Sequence, residues 1–302
     1  MKMINNFLNK NKTPLRGALF VSGSGSNAEK ILEYNRNIPG TAWLPAVIVS
    51  DRPESRARSI AEEYSLPFVE VDINQFYLER GEKRVSIMTE NGRRIREEWT
   101  EALRKEIKPY DIDFGILAGF IPLTNMTGDF PCLNVHPGDL TVEESGNRVL
   151  VGLHTVPVEA AIVRGFAFMR SSVIVAQPYT GAGGEMDSGP ILGVSAPVEI
   201  DLSGYSLQDL IKCSEHRPDV RPRGGYGDIL EKVAVKNQER LKMNGDWIVF
   251  PPVVEDFASG IFAHDDADNL YYRTENGWRK IKTVEYGSKS RKIINDEADT
   301  GI

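Results

Sequence analysis

Between residues 17 and 120 short apolar runs alternate with helix-like segments, and this alternation limits the fold more than any other feature. Residues 17–22, 46–50, 68–71 and 114–118 are runs dominated by Val, Ile, Leu, Phe and Ala. Ala57, Ile60, Ala61 and Tyr64 recur at helical spacing, and Ile95, Trp99, Leu103 and Ile107 recur every four residues across 92–107. Apolar runs this continuous suit strands covered on both faces. Interleaved with helices, they predict an α/β fold: a Rossmann-like, mostly parallel sheet with helices on both faces. Further strands are expected at 132–135, 171–177 and 190–200, and a helix at 156–164.

The last hundred residues read differently. A polar helix is expected over 228–243, and Asn276-Gly277 marks the turn of a small β-hairpin. The organisation expected is an N-terminal tail at 1–15, a catalytic body at 16–216 and a C-terminal extension at 217–302 carrying that helix and hairpin. Residues 265–268 and the tail after 289 read as exposed. The chain has 302 residues, 41% of them apolar, enough for a substantial core. Its net charge of −7 argues against a general nucleic-acid surface. Two cysteines, Cys132 and Cys213, imply no disulfide framework. Neither an apolar leader in residues 1–14 nor a bilayer-spanning run is present. The expectation is a cytoplasmic protein that acts on small molecules, without membrane or nucleic-acid partners, and that leaves room for a homodimer.

Polar groups stand where apolar strands end. In Leu133-Asn134-Val135-His136-Pro137, Asn134 and His136 are two apart, so an extended backbone projects them to one face. An amide beside an imidazole polarises a carbonyl and handles its proton. In Met186-Asp187-Ser188-Gly189-Pro190, Asp187 either orients that imidazole or caps a turn, and the residues alone leave both open. The loop Gly23, Ser24, Gly25, Ser26, Asn27 lies between a strand and a helix, where backbone amides favour an anion. The same string fits G-x-G-x-x-A with Asp51 ending the next strand, a dinucleotide pattern that competes with phosphate binding. Cys132, His136, Cys213 and His216 are too loosely spaced for a zinc set, so no metal is expected.

These strings, in this order, resemble the folate-dependent formyltransferase family. The matching pieces are Ser22-Gly23-Ser24-Gly25-Ser26-Asn27, Leu117-Ala118-Gly119-Phe120, Asn134-Val135-His136-Pro137, Gly152-Leu153-His154-Thr155 and Met186-Asp187-Ser188-Gly189-Pro190. The match covers residues 16 to about 216. The resemblance implies that Asn134, His136 and Asp187 are the catalytic groups and that Gly23, Ser24, Gly25, Ser26 and Asn27 hold a substrate phosphate. It implies 10-formyltetrahydrofolate as formyl donor, lying against Phe120, Ile121 and Leu123 and against Gly184 and Glu185. The acceptor it implies is the amine of a small phosphorylated molecule, glycinamide ribonucleotide first, in purine biosynthesis.

The chain departs from the family in several places. Ile121-Pro122 stands where relatives have Met-Arg, so a pocket arginine is missing. His136-Pro137-Gly138-Asp139 opens a longer loop before Gly152, and 74–108 is also longer. Other readings are therefore carried along: transfer to another amine such as an amino-sugar nucleotide, hydrolysis of a formyl-folate, a nucleotide-binding oxidoreductase, and a catalytically silent binding protein.

Overall fold

The computed structural model describes residues 3–8, 13–180, 184–222 and 224–295. Its centre is a nine-stranded sheet. In spatial order the strands are Arg291–Ile294, Thr283–Tyr286, Ile191–Ser195, Ser172–Ala176, Cys132–His136, Phe114–Leu117, Leu15–Val21, Trp43–Ser50 and Phe68–Glu70. The last five pair in parallel. Ser172–Ala176 runs against both of its neighbours, and Arg291–Ile294 runs against Thr283–Tyr286. The sheet is thus mostly parallel, as the alternation requires.

Period-two alternation sorts each inner strand between two cores. Leu19 and Val21 pack with Ile48 under the helices Ser26–Asn37 and Ala57–Tyr64. Ala18 and Phe20 pack with Val47 and Val49 on the other face, against Ile95, Trp99, Leu103 and Ile107. These last four form the buried stripe of the helix Glu90–Ile107, whose start is capped by the Thr89 hydroxyl accepting from the Gly92 amide. A third cluster lies among the helices Val156–Val163, Leu207–Glu215 and Ile229–Leu241.

The boundaries expected at 15 and 216 do not match how the strands pair. Ile4–Asn6, in the expected tail, pairs with Phe262–Asp265, which continues through Leu270–Thr274 to Gly277–Lys280 as a four-stranded sheet. The hairpin is present, with Gly277 in the left-handed region at φ 103°. Beyond it, the expected extension sends Thr283–Tyr286 into the main sheet beside Ile191–Ser195. A π-helical turn at Lys242–Asp246 leads into the helix Trp247–Ala258, which the sequence reading passed over. Val249, Phe250, Val253, Val254 and Phe257 of this helix are buried in the first core cluster, which links residue 15 to residue 286. Two smaller expectations also change. The run 190–200 splits into Ile191–Ser195 and Val198–Glu199, which belong to different sheets. Asp265 is buried, since its carboxylate accepts from the amides of Ala267 and Asn269.

Phe257 sits at the seam between the C-terminal helix and the sheet, with ring centroids 6.0 Å from Phe114 and 5.5 Å from Phe7. Phe257→Ala is expected to cost about 3–5 kcal/mol in urea denaturation of the whole chain. A loss below about 1 kcal/mol would mean that this helix is an independent appendage.

Candidate active site

Parallel strands deliver their carboxyl ends to one edge of a sheet, and the candidate residues collect there. A cleft of about 400 Å³ is lined by Asn134, His136 and Asp187, together with Asn27 from the Gly-rich loop and Phe120 to Leu123 from the loop after Phe114–Leu117. Asn134, His136 and Asp187 thus meet in one cleft; of the Gly-rich loop only Asn27 lines it, while Gly23, Ser24, Gly25 and Ser26 do not.

His136 is buried, with one ring nitrogen hydrogen-bonded and the other facing a carboxylate. Nε2 lies 2.7 Å from the Leu150 carbonyl, so it carries a proton and donates it there. Nδ1 lies 3.5 Å from an Asp187 carboxylate oxygen. Burial holds the imidazole below its ordinary pKa; Asp187 and the Leu150 carbonyl oppose this, while Arg148 reinforces it. The ring is therefore neutral at rest, with Nδ1 a proton acceptor beside a carboxylate. Burial of the ring disfavours the charged form.

Asn134 is half-buried at the cleft wall. Among the described residues no hydrogen bond engages its side-chain amide, which leaves its donors for a ligand. Cys132, on the same strand, is buried, and burial pushes its thiol far up, so it offers no thiolate nucleophile.

The helix Ser26–Asn37 points its first turn at this cleft. Its N-cap is Gly25, at φ 67°, and no side chain caps it. The helices starting at 57 and 156 are likewise without a side-chain cap, so what sets this start apart is its place beside the cleft, which Asn27 lines. A side chain at Gly25 would meet Ile60 Cδ1 as well as a strained φ. Asn27 Nδ2 donates to Asp246 at 3.2 Å, and Ser171 donates to the other oxygen of Asp246 at 2.5 Å. Asn27 Oδ1 is buried without a partner.

Asp246, Lys242, Gln238 and Glu239 line the same cleft, and sequence reasoning missed all four. They come from the helix Ile229–Leu241 and the π turn after it, 219 residues beyond Asn27 in the case of Asp246. The one local signal is Asn244-Gly245, an unfavourable pair inside a helix. Burial raises Asp246 to about 6.

The proposed donor-side residues are placed in part. Phe120 packs on Phe20 and Trp99, Ile121 is exposed, and Leu123 is half-buried. The Ile121 amide donates to the Ser22 hydroxyl at 2.9 Å, which ties this segment to the Gly-rich loop. No arginine stands at 122. Instead Arg96, buried in the Glu90–Ile107 helix, donates to the Leu123 carbonyl at 2.8 Å from behind. Of the expectations on the loop before Asp187, residues 181–183 and the side chain of Glu185 lie outside the described residues. Gly184 opens a short 3-10 turn ending at Ser188.

Asp51, the residue that the dinucleotide pattern needs, is fully buried and paired with Arg52 at 2.7 Å, with no face for a ribose. Among the described residues no group of three or more His, Cys, Asp or Glu side chains is arranged to hold a metal ion, and no helix is long and apolar enough to cross a membrane.

Comparison with solved structures decides the fold. A phosphoribosylglycinamide formyltransferase from Anaplasma phagocytophilum matches with a TM-score of 0.54, over 90% of this chain and 98% of that one, at 18% identity. The chain has the formyltransferase fold. The corresponding enzyme from Coxiella burnetii also gives 0.54, at 19% identity over 86% of this chain and 93% of that one. A formyltetrahydrofolate deformylase from Pseudomonas syringae pv. tomato gives 0.50, at 15% identity over 82% of this chain and 62% of that one. No protein-family model and no curated protein matches the sequence.

The buried Asp246 yields a pH prediction. Its folded pKa, about 6, exceeds the unfolded carboxylate value of about 3.9, so its stabilising proton uptake is complete below pH ~4 and is lost as pH rises through 6. Asp246→Asn removes that pH dependence. Its melting temperature relative to wild type is therefore expected to be higher at pH 8 than at pH 4.5, as read by calorimetry. A difference that is flat with pH would show that the carboxylate is not held up by burial.

Proposed function

We propose that this protein is an enzyme that transfers a formyl group from 10-formyltetrahydrofolate to the primary amine of a small phosphorylated molecule. The observation that carries the reading is the convergence of Asn134, His136 and Asp187 in one cleft beside an uncapped helix start. The amine nitrogen attacks the formyl carbon, and the carbonyl pair moves onto oxygen. Asn134 donates to that oxygen as its charge develops. The neutral His136 and Asp187, acting as a pair, take the amine proton. The C–N bond to the folate breaks, and that proton returns to the departing nitrogen. No covalent intermediate on the protein is needed.

The acceptor end is assigned by chemistry. The free amides of residues 26–28 suit a phosphate. Asp246 is an acceptor that suits a neighbouring hydroxyl. A phosphorylated sugar amine such as glycinamide ribonucleotide carries both, which supports a place in purine biosynthesis. The apolar rim of Phe120, Ile121, Leu123, Leu153 and Met186 suits the flat ring of the donor. Lys242, on the acceptor side, adds a positive charge.

A second reading is hydrolysis of the same donor. It is favoured by the fold shared with a formyltetrahydrofolate deformylase, since the fold by itself does not choose between an amine and water as the attacking group. The acceptor-binding features of the Gly-rich loop favour the amine.

Asn134→Ala is expected to lower kcat about 10²–10³-fold with a smaller change in KM, because the oxygen carries its charge mainly in the transition state. His136→Ala and Asp187→Asn should lower kcat comparably, without rescue by saturating substrate. Wild-type kcat should fall on the acid side, with a midpoint below the ordinary histidine value of about 6.5, because the pair must be free to accept a proton. Full turnover by Asp187→Asn would remove the proton-handling role.

A further inference from the structure

We propose that Arg148 is a positioning residue for the His136–Asp187 pair, and that the 138–150 loop exists to hold both partners. The inference rests on the reading of that pair as the proton acceptor.

The 184–189 loop that carries Asp187 is held from two sides. On the sheet side, the Gln177 amide donates to the Met186 carbonyl at 3.1 Å, and the Val175 amide donates to the Pro190 carbonyl at 3.1 Å. These contacts leave the carbonyls between them to be satisfied elsewhere. Arg148 takes two: it donates to the Asp187 carbonyl and, through its other terminal nitrogen, to the Gly189 carbonyl at 2.9 Å. A planar fork of N–H groups reaches two carbonyls two residues apart, which a single ammonium does less well. Gly189 itself admits no side chain, because a Cβ there would meet the Val175 carbonyl.

The same loop supplies Leu150, whose carbonyl accepts from His136 Nε2 at 2.7 Å. The loop therefore fixes the imidazole at one end and the Asp187 backbone at the other. Its own start is anchored to the sheet. Ser172 donates to the Gly138 carbonyl at 2.8 Å, and the Leu140 amide donates to the Ser172 hydroxyl at 3.0 Å. Arg170 pairs with Asp139 at 3.5 Å. Arg148 stands on a two-residue ladder opposite Glu143, closed by a turn through Ser145 and Gly146.

Arg148 also brings a charge. Among the described residues, the charged groups facing His136 are Asp187 and Arg148, and Glu143 faces Arg148. A guanidinium here disfavours the imidazolium and so keeps the pair ready to accept a proton at neutral pH. Arg148 thus acts in two separable ways, by a fork that places Asp187 and by a charge that tunes His136.

The test uses Arg148→Met and Arg148→Lys in the full chain, with two readouts. In the first, ¹⁵N-histidine NMR follows the His136 ring, assigned by its loss in His136→Asn, while amide exchange is followed at Asp187 and Ser188. Arg148→Met should raise the His136 midpoint and speed exchange at both amides. Arg148→Lys should keep the midpoint and still speed exchange. In the second readout, formyl transfer by either variant should show kcat reduced by up to about 10²-fold with KM little changed. If Arg148→Met fails to melt cooperatively, Arg148→Lys decides alone through amide exchange. Unchanged exchange at Asp187 in the folded variants would overturn the proposal. If the wild type transfers formyl, an unchanged kcat in the variants would overturn it as well. A wild type without formyl transfer would refute the functional reading, while the NMR readout would still decide the role of Arg148.

Discussion

The strand Cys132–His136 sits where the sheet changes direction, and the site depends on that position. On one side it pairs in parallel with Phe114–Leu117, and on the other it pairs antiparallel with Ser172–Ala176. The parallel pairing sets its carboxyl end beside the loop that starts at Gly119, and places Asn134 level with Leu117. The antiparallel pairing sets His136 opposite Ser172, and the strand that follows Ser172 in sequence returns through the loop bearing Asp187. One strand thus brings an amide, an imidazole and a carboxylate together from segments about fifty residues apart.

Burial then does the chemical work. A histidine in water is partly charged near neutrality. His136, buried and donating from Nε2 to a main-chain carbonyl, keeps Nδ1 open to a proton. Asp187 stands at 3.5 Å, near enough to stabilise a proton once it arrives. Asp246 shows the same physics at the other end of the cleft, where burial raises a carboxyl to about 6. A reaction whose charge develops late is helped by donors arranged beforehand, as Asn134 is at the wall of this cleft.

The pairing of Asn134 with His136 was legible in the sequence because it is local: two residues at a strand end whose spacing fixes their common face. The strand–helix alternation was legible for the same reason. Asp187, about fifty residues on, was given its catalytic role only by the resemblance. The parts that were not legible are long-range or disguised. The helix Trp247–Ala258 contains Pro251 and Pro252, which read as breakers because each lacks the N–H that a helix interior uses. Tertiary packing overrides that penalty, since this helix is buried over most of its length. The contact of Asp246 with Asn27 spans 219 residues and has no periodic signature. The missing arginine at 122 was visible, but the inward turn of Arg96 toward Leu123 was not, because a helix pattern shows which face is buried and not what a long side chain reaches.

We propose that this cleft moves a formyl group directly onto an amine. The most direct measurement is ¹³C NMR of the purified protein with [¹³C]formyl-tetrahydrofolate, first alone and then with glycinamide ribonucleotide. The account predicts that the donor resonance persists alone and is replaced by a formamide resonance when the amine is added. Formate appearing at the same rate with and without the amine would contradict transfer and establish hydrolysis in its place.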